Sequence, residues 1–218
     1  MSLPLLLSVP HAGLRVPDEV RDLCLLTPEQ IRRDGDEQAD EIYLPLRDHV
    51  AALVTTDVAR AIVDVNRAPD DRRPDGVVKT HTCWNEPVWR RPLSDRTVAR
   101  LLRRYHQPYH DALRREAAGR VLLGVDCHTM AETGPPIGPD PDQRRPWVCL
   151  SHAGFTCPQD WIESLAECFA QVFGDEVAVN RPFRGGYIIR SHATELPWVQ
   201  LELSRELFLS PSDKREGV

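Results

Sequence analysis

One stretch constrains this chain more than any other: an apolar run over residues 121–125 that leads into Asp126, Cys127 and His128. A short apolar run bounded by glycine is typical of a buried strand in a parallel sheet. Open α/β sheets bind their ligands at the carboxyl ends of such strands. The stretch therefore predicts a central strand that delivers polar side chains to a functional site. An alternative stays open, in which Asp126 caps the next turn and His128 is an ordinary loop histidine.

The other apolar segments alternate between strand-like and helix-like patterns. Strands are predicted at residues 3–9, 53–58, 61–65, 147–151, 177–179 and 198–203, with a short irregular hairpin at 77–89. Helices are predicted after Thr27, over 42–53, after Ser94 with a kink at Pro108, and over 158–173. This alternation predicts one α/β domain over residues 1–218, with a mostly parallel central sheet flanked by helices and a frayed tail from Ser210.

The bulk composition narrows the classes of function. The formal net charge is -6, whereas a nucleic-acid interface is normally basic and clustered, so we expect no nucleic-acid partner. The apolar runs are shorter than a transmembrane helix, and the first one leads directly into Pro10 and His11 without the features of a signal peptide. Six scattered cysteines without a C-x-x-C pair favour a reducing, cytoplasmic compartment. The composition does not indicate an oligomeric state.

Polar residues gather at the ends of the predicted strands, and they are His11, Asn66, Arg67, Asp126, His128 and Glu202, together with the acids of segment 34–40. Two histidines and a carboxylate from separate elements are the usual ligands of a catalytic zinc with one open position. A further glutamate could take a proton from water, and an arginine beside an asparagine could bind a substrate carboxylate. The acidic segment could instead be the acidic start of a helix, which the helix dipole favours.

Seven blocks of the sequence, taken in order, resemble the N-formylglutamate amidohydrolase family. They are Ser8–Gly13, Asp36-x-x-x-Asp40-x-x-Tyr43, Asp64–Arg67, Tyr109–His110, Asp126–Met130, Phe183-x-Gly185-Gly186-Tyr187-Ile188 and Gln200–Glu202. The resemblance spans nearly the whole chain. It implies an α/β fold similar to that of the zinc carboxypeptidases. It also implies zinc-dependent hydrolysis of the formamide bond of N-formyl-L-glutamate, a step of histidine degradation.

The resemblance further implies roles for individual residues. His11 and His128 would bind one zinc ion, or another divalent metal. The third ligand would come from the acidic segment, with Asp36 as the first choice and Glu37 or Asp40 as alternatives. Glu202 would be the general base, and Asn66 with Arg67 would hold a carboxylate of a small N-acyl amino acid substrate.

Several assignments stay open. Arg60, Arg184 and Arg190 could each reach the substrate, or each could only pair with surface acids, while His110 is interpreted as a supporting or packing residue. We expect this chain to be shorter than typical members of the family, which leaves the acyl group undetermined. One alternative is a related zinc amidase or carboxypeptidase-like hydrolase that acts on another N-acyl amino acid or a peptide. The other is a non-catalytic ligand-binding relative without a metal.

Overall fold

A six-stranded sheet forms the centre of the computed structural model, which describes residues 2–174, 176–206 and 210–218. Its strands are β1 (Leu3–Val9), β2 (Val50–Thr55), β3 (Leu123–Met130), β4 (Val148–Ser151), β5 (Val177–Val179) and β6 (Trp198–Ser204). The strand order is β2-β1-β3-β6-β4-β5, and the neighbouring strands of this described sheet are parallel apart from β4 with β6. The predicted mostly parallel α/β fold is confirmed.

Helices cover both faces of the sheet. They are α1 (Asp18–Arg21), α2 (Pro28–Asp34), α3 (Ala39–Tyr43), α4 (Asp95–Leu101), α5 (Gln107–Ala117), α6 (Gln159–Phe173), α7 (Tyr187–His192) and α8 (Pro211–Glu216), with a 3-10 turn at Leu44–His49 and a π-helical segment at Leu102–His106. One core packs Leu6 against Leu113 of α5 and Ile188 of α7. The other packs Leu7 against Ile162 of α6. In the part of the chain that is described, no helix has the length and apolarity needed to cross a membrane.

β3 lies between β1 and β6, as expected for a strand that is buried on both faces. Its Gly124 is required by packing, because a Cβ atom there would lie 2.3 Å from the Trp198 ring of β6. Along β6, Trp198 enters one core whereas Val199 and Leu201 enter the other, because successive side chains of a strand point to opposite faces. These central strands direct their carboxyl ends to the same edge of the sheet.

Two predicted elements are wrong in type. Residues 61–65 form turns rather than a strand, since the backbone N–H groups of Ile62 and Val63 both donate to the Ala59 carbonyl. The run is apolar because it is buried in the core beside α5, and a short apolar run alone does not distinguish these cases. The predicted helix over 42–53 is divided among α3, the 3-10 turn and β2, and this turn has a proline in its first two positions.

Two further predictions also need correction. The predicted hairpin at 77–89 contains no strand among the described residues and makes only isolated bridges, such as His81 with Pro87. The prediction of a frayed tail from Ser210 is wrong, because these residues form α8, whose start is capped by the Ser210 side chain. Lys214 of α8 is buried and its Nζ donates to the Ser204 carbonyl at 2.7 Å, which ties the helix to the end of β6.

Candidate metal centre and active site

Three adjacent parallel strands bring the candidate site together at their carboxyl ends. His11 follows β1, His128 lies on β3, and Glu202 lies on β6 directly opposite His128 in the strand register. Asp36 comes from the loop after α2, where its backbone N–H donates to the His11 carbonyl at 3.2 Å. All four side chains are buried. The edge of the sheet predicted to carry the site is therefore where these residues meet.

His11, Asp36 and His128 form a cluster in which one candidate ligand atom from each lies within 4.8 Å of the others. Asp36 Oδ2 is 2.8 Å from His128 Nδ1 and 3.4 Å from His11 Nδ1. His11 Nδ1 is buried and has no hydrogen-bond partner among the described residues. A buried polar atom of this kind is normally paired, and a metal ion would satisfy it. The two imidazoles and one carboxylate also match the donors of a catalytic zinc site, so the cluster fits a metal ion.

The two alternative ligands lie elsewhere. Asp40 is exposed at the start of α3. Glu37 is half-buried, and its Oε1 is 3.2 Å from Arg205 Nη1. Of the three acids considered in the segment, Asp36 alone belongs to the cluster found among the described residues.

Each histidine of the cluster contacts a second carboxylate through its other ring nitrogen. His11 Nε2 is 2.8 Å from Asp64 Oδ1, and His128 Nε2 is 2.8 Å from Asp126 Oδ2. A carboxylate that accepts a hydrogen bond from Nε2–H leaves the lone pair of Nδ1 for a metal ion. Ser8 Oγ in turn donates to Asp126 Oδ1 at 2.9 Å. The outer carboxylates thus orient both rings toward Asp36.

We expect Asp64→Asn to weaken metal affinity by about 10–100-fold, because the amide holds the His11 ring in the required tautomer less well than the carboxylate does. Competition against a chromogenic chelator measures this affinity. The matched control is Asp57→Asn, which changes an exposed carboxylate that pairs with Arg15 and should leave metal affinity unchanged. Equal affinities in Asp64→Asn and the unmodified protein would show that Asp64 does not support the metal centre.

The electrostatics of the cluster favour a cation. Burial opposes ionisation of Asp36, yet His11 and His128 hold the pKa of its carboxyl well below the ordinary value. Burial likewise favours a neutral His128, but Asp126 and Glu202 raise the pKa of this ring well above the ordinary value. For Glu202 burial prevails and raises the pKa. Several carboxylates thus surround two imidazoles, and a metal ion would balance their negative charge.

The cluster opens into a cavity of about 760 Å³. Although the whole chain has a net charge of -6, the described cavity wall has nine cationic side chains and five carboxylates. The cations are Arg33, Arg60, Arg67, Arg73, Lys79, Arg145, Arg181, Arg184 and Arg205. A local positive excess in an acidic protein attracts anionic ligands. The cavity is therefore suited to an acidic small molecule.

Arg60 and Arg67, two of the arginines predicted to reach the substrate, line the cavity and contact carboxylates there. Arg60 pairs with carboxylates of the candidate metal site, since its guanidinium lies 3.3 Å from Asp36 Oδ1 and 3.1 Å from Asp64 Oδ2. Arg67 Nη2 donates to Asp75 Oδ2 at 2.9 Å, and its buried Nε makes no hydrogen bond to a described residue but lies 3.8 Å from Asp64 Oδ2. Arg67 is therefore held between two carboxylates, with part of its side chain exposed in the cavity wall.

The other residues predicted to contact the substrate are Asn66, Arg184 and Arg190, and only the first two line the described cavity wall. Asn66 lines the cavity, but its Nδ2 donates to Asp126 Oδ2 at 3.1 Å and its Oδ1 accepts from the Ile188 backbone at 2.8 Å. Arg184 lines the cavity and is exposed. Arg190 is not part of the described cavity wall, and its Nη2 donates to the Arg184 carbonyl at 3.1 Å. Arg190 thus supports the backbone that presents Arg184.

Sequence reasoning missed several residues of the site. Gln200 connects Glu202 to the loop that contains Gly185 and Gly186. Its Nε2 donates to Glu202 Oε1 at 2.8 Å, and its Oε1 accepts from the Gly186 backbone at 2.6 Å. Its position two residues before Glu202, on the same strand face, was a usable signal. Arg145 and Arg205 also line the cavity, and no sequence pattern indicated either of them.

Comparisons with known proteins agree with one another. Residues 3–209 match the family model described as N-formylglutamate amidohydrolase. An N-formylglutamate deformylase of Pseudomonas putida is 31% identical and covers 97% of this chain and 84% of its own. A second, from Pseudomonas aeruginosa, is 27% identical and covers 93% of this chain and 81% of its own.

Solved structures share the fold. The crystal structure of N-formylglutamate amidohydrolase from Ralstonia eutropha has a TM-score of 0.76 at 21% identity and covers 99% of this chain and 90% of that one. The gene product Atu2144 from Agrobacterium tumefaciens has a TM-score of 0.75 at 19% identity, and covers 98% of this chain and 84% of that one. At these identities the structural likeness shows the fold alone.

Proposed function

Because this chain belongs to the N-formylglutamate amidohydrolase family, we propose that it hydrolyses N-formyl-L-glutamate to glutamate and formate with one bound metal ion. The observation that carries the proposal is the buried triad of His11, Asp36 and His128, with Glu202 on the next strand, at a cavity rich in cationic side chains. The substrate has two carboxylates, so its charge complements the excess positive charge of the cavity wall.

His11, Asp36 and His128 would hold the ion, and the donor set favours zinc. When bound, such an ion polarises the amide carbonyl and lowers the pKa of water. Glu202 would accept a proton from the attacking water and return it to the leaving amine nitrogen. Gln200 would keep the Glu202 carboxylate oriented for this transfer, because it donates to one of the two carboxylate oxygens.

The two carboxylates of the substrate require two cationic contacts. Arg67 would bind one of them, since it lines the cavity and its side chain is 29% exposed there. Six of the nine cavity cations already pair with a carboxylate, and these are Arg60, Arg67, Arg73, Lys79, Arg145 and Arg205. Arg33, Arg181 and Arg184 have no such partner in the described part of the chain, and Arg33 lies over the Trp84 ring. Arg184, supported by Arg190, is our first choice for the other carboxylate.

We expect Arg67→Lys to raise KM for N-formyl-L-glutamate by about 10-fold or more, because a planar guanidinium binds a carboxylate through two charge-assisted hydrogen bonds and lysine does not. The measurement compares kcat/KM for the free acid and its methyl esters. The preference for the free acid should shrink while metal content stays unchanged. Arg73→Lys, at a cavity arginine that pairs with Asp71, is the control. If Arg67 only holds its loop through Asp75, thermal stability will fall and the preference for the free acid will survive.

A substrate panel tests the proposed function. It compares N-formyl-L-glutamate, N-formyl-L-glutamine, N-acetyl-L-glutamate and a dipeptide, with release of the free amine as the readout. We expect the highest kcat/KM for N-formyl-L-glutamate. A preference for the acetyl compound or the dipeptide would favour the related amidase, and bound metal without hydrolysis would favour a ligand-binding relative. A cytoplasmic location and the absence of nucleic-acid and membrane partners stay predictions from the sequence.

A further inference from the structure

A second group of buried histidines lies outside the described cavity wall and has no role in the proposed chemistry. We define the histidine cluster as His106, His110 and His192, all of which are buried. The ring centroids of His106 and His110 are 4.4 Å apart, and the rings of His110 and His192 stack at 5.2 Å with an interplanar angle of 4°. Buried polar rings in such contact need hydrogen-bond partners, and their partners indicate what the histidine cluster does.

The histidine cluster holds the backbone of the segment that carries Asn66 and Arg67. The carbonyls of residues 65–67 are each occupied: the first lies 2.9 Å from His110 Nε2, the second 3.3 Å from the Tyr187 backbone nitrogen, and the third 2.8 Å from His106 Nε2. This segment is neither helix nor strand. Side-chain donors therefore supply the hydrogen bonds that secondary structure would otherwise provide.

The direction of each hydrogen bond follows from its partner. A carbonyl can only accept, so His110 Nε2 carries a hydrogen, and in the neutral ring Nδ1 accepts from His192 Nε2 at 2.9 Å. His192 Nδ1 is 2.7 Å from Glu195 Oε2, which can only accept, so both ring nitrogens of His192 donate and this ring is an imidazolium paired with Glu195. Burial, together with the neighbouring His106 and His192, lowers the pKa of His110 to about 3, which keeps this ring neutral. The chain of donors thus runs from His192 through His110 to the carbonyl of residue 65.

The helical stretch that carries His106 and His110 departs from regular α-helix at a π-helical segment. His106 is the last residue of the π-helical segment Leu102–His106, which ends just before Pro108. A π-helical turn re-aims the side chains that follow it, and such turns are frequent at functional sites. His106 and His110 are four residues apart, so both project toward the same segment.

We propose that the histidine cluster is a positioning device for substrate recognition, which fixes the backbone of residues 65–67 so that Arg67 presents its guanidinium to the substrate carboxylate. This proposal rests on the proposed function for the identity of the substrate. It assigns His106 the most direct role, because His106 binds the carbonyl of Arg67 itself. Losing a positioning residue for recognition should change KM more than kcat.

The test compares His106→Leu with His106→Gln, because the glutamine amide can still donate to the carbonyl of Arg67. We expect His106→Leu to raise KM for N-formyl-L-glutamate about 10-fold with little change in kcat or metal content, and His106→Gln to restore most of the loss. The preference for the free acid over its methyl esters should follow the same order. Tyr105→Phe, in the same π-helical segment, removes hydrogen bonds to Glu19, outside the histidine cluster, and is the control.

An unchanged KM in folded His106→Leu, or an equal KM increase in both His106 variants, would overturn the proposal. If His106→Leu does not fold, Glu195→Gln replaces it, since Glu195 is partly exposed and contacts the histidine cluster through His192. We then expect KM to rise about fivefold with kcat unchanged, and an unchanged KM would overturn the proposal.

If the metal-loaded protein hydrolyses no N-formyl amino acid, the proposed function fails. Glutarate binding by calorimetry then decides the positioning role, with about 10-fold weaker binding expected in His106→Leu and recovery in His106→Gln.

Discussion

Glu202→Gln should lower kcat by about 10²–10⁴-fold while the protein keeps its metal ion. The amide has the shape of the carboxylate, and its oxygen can still accept the hydrogen bond from Gln200 Nε2. It cannot accept a proton from water. The loss should therefore fall on the chemical step rather than on folding or on metal binding.

The measurement pairs kcat with metal content per chain. The control is Glu206→Gln, because Glu206 lies outside the described cavity wall and pairs with Arg144 and Trp147 instead. Glu206→Gln should retain its activity. If Glu202→Gln stays active, Glu202 is not the general base, and a fall in activity in Glu206→Gln would reassign that role.

His11→Ala, Asp36→Ala and His128→Ala should each lose the bound metal and, with it, nearly all activity. A site with three protein ligands does not tolerate the loss of one. The fall in metal affinity should exceed the roughly 10–100-fold loss expected when only an outer carboxylate is changed.

Metal content after dialysis, measured alongside circular dichroism, separates loss of metal from loss of fold. Asp40→Ala is the matched control, because Asp40 belongs to the same acidic segment but is exposed. It should keep full metal content. Full metal content in any of the three cluster variants would remove that residue from the ligand set.

The sequence predicts the centre of the fold well because β1, β3 and β6 are buried on both faces. β1 and the start of β3 therefore appear as apolar runs, and β6 alternates apolar residues with Gln200 and Glu202. His11, His128 and Glu202 follow from the same pattern, since parallel strands place their carboxyl ends side by side. Residues 61–65 show the limit of the pattern. All of them except Asp64 are apolar, but they are buried in turns, and an apolar run indicates burial rather than strand pairing.

The choice among Asp36, Glu37 and Asp40 depends on backbone geometry that the pattern does not contain. Gln38 has a φ of 71°, a left-handed conformation that turns the chain between Asp36 and α3. Asp36 therefore lies against the two histidines while Asp40 is exposed. Arg145 is a similar case, because the loop geometry that places it in the cavity wall leaves no periodic signal in the sequence.

The central claim is that one metal ion, held by His11, Asp36 and His128, supports hydrolysis of N-formyl-L-glutamate. The most direct measurement follows formate release by the purified protein as isolated, after chelation, and after zinc is added back in counted amounts. We expect activity to disappear with the metal and to return fully at one zinc ion per chain. Undiminished formate release from protein shown to contain no metal would contradict the claim.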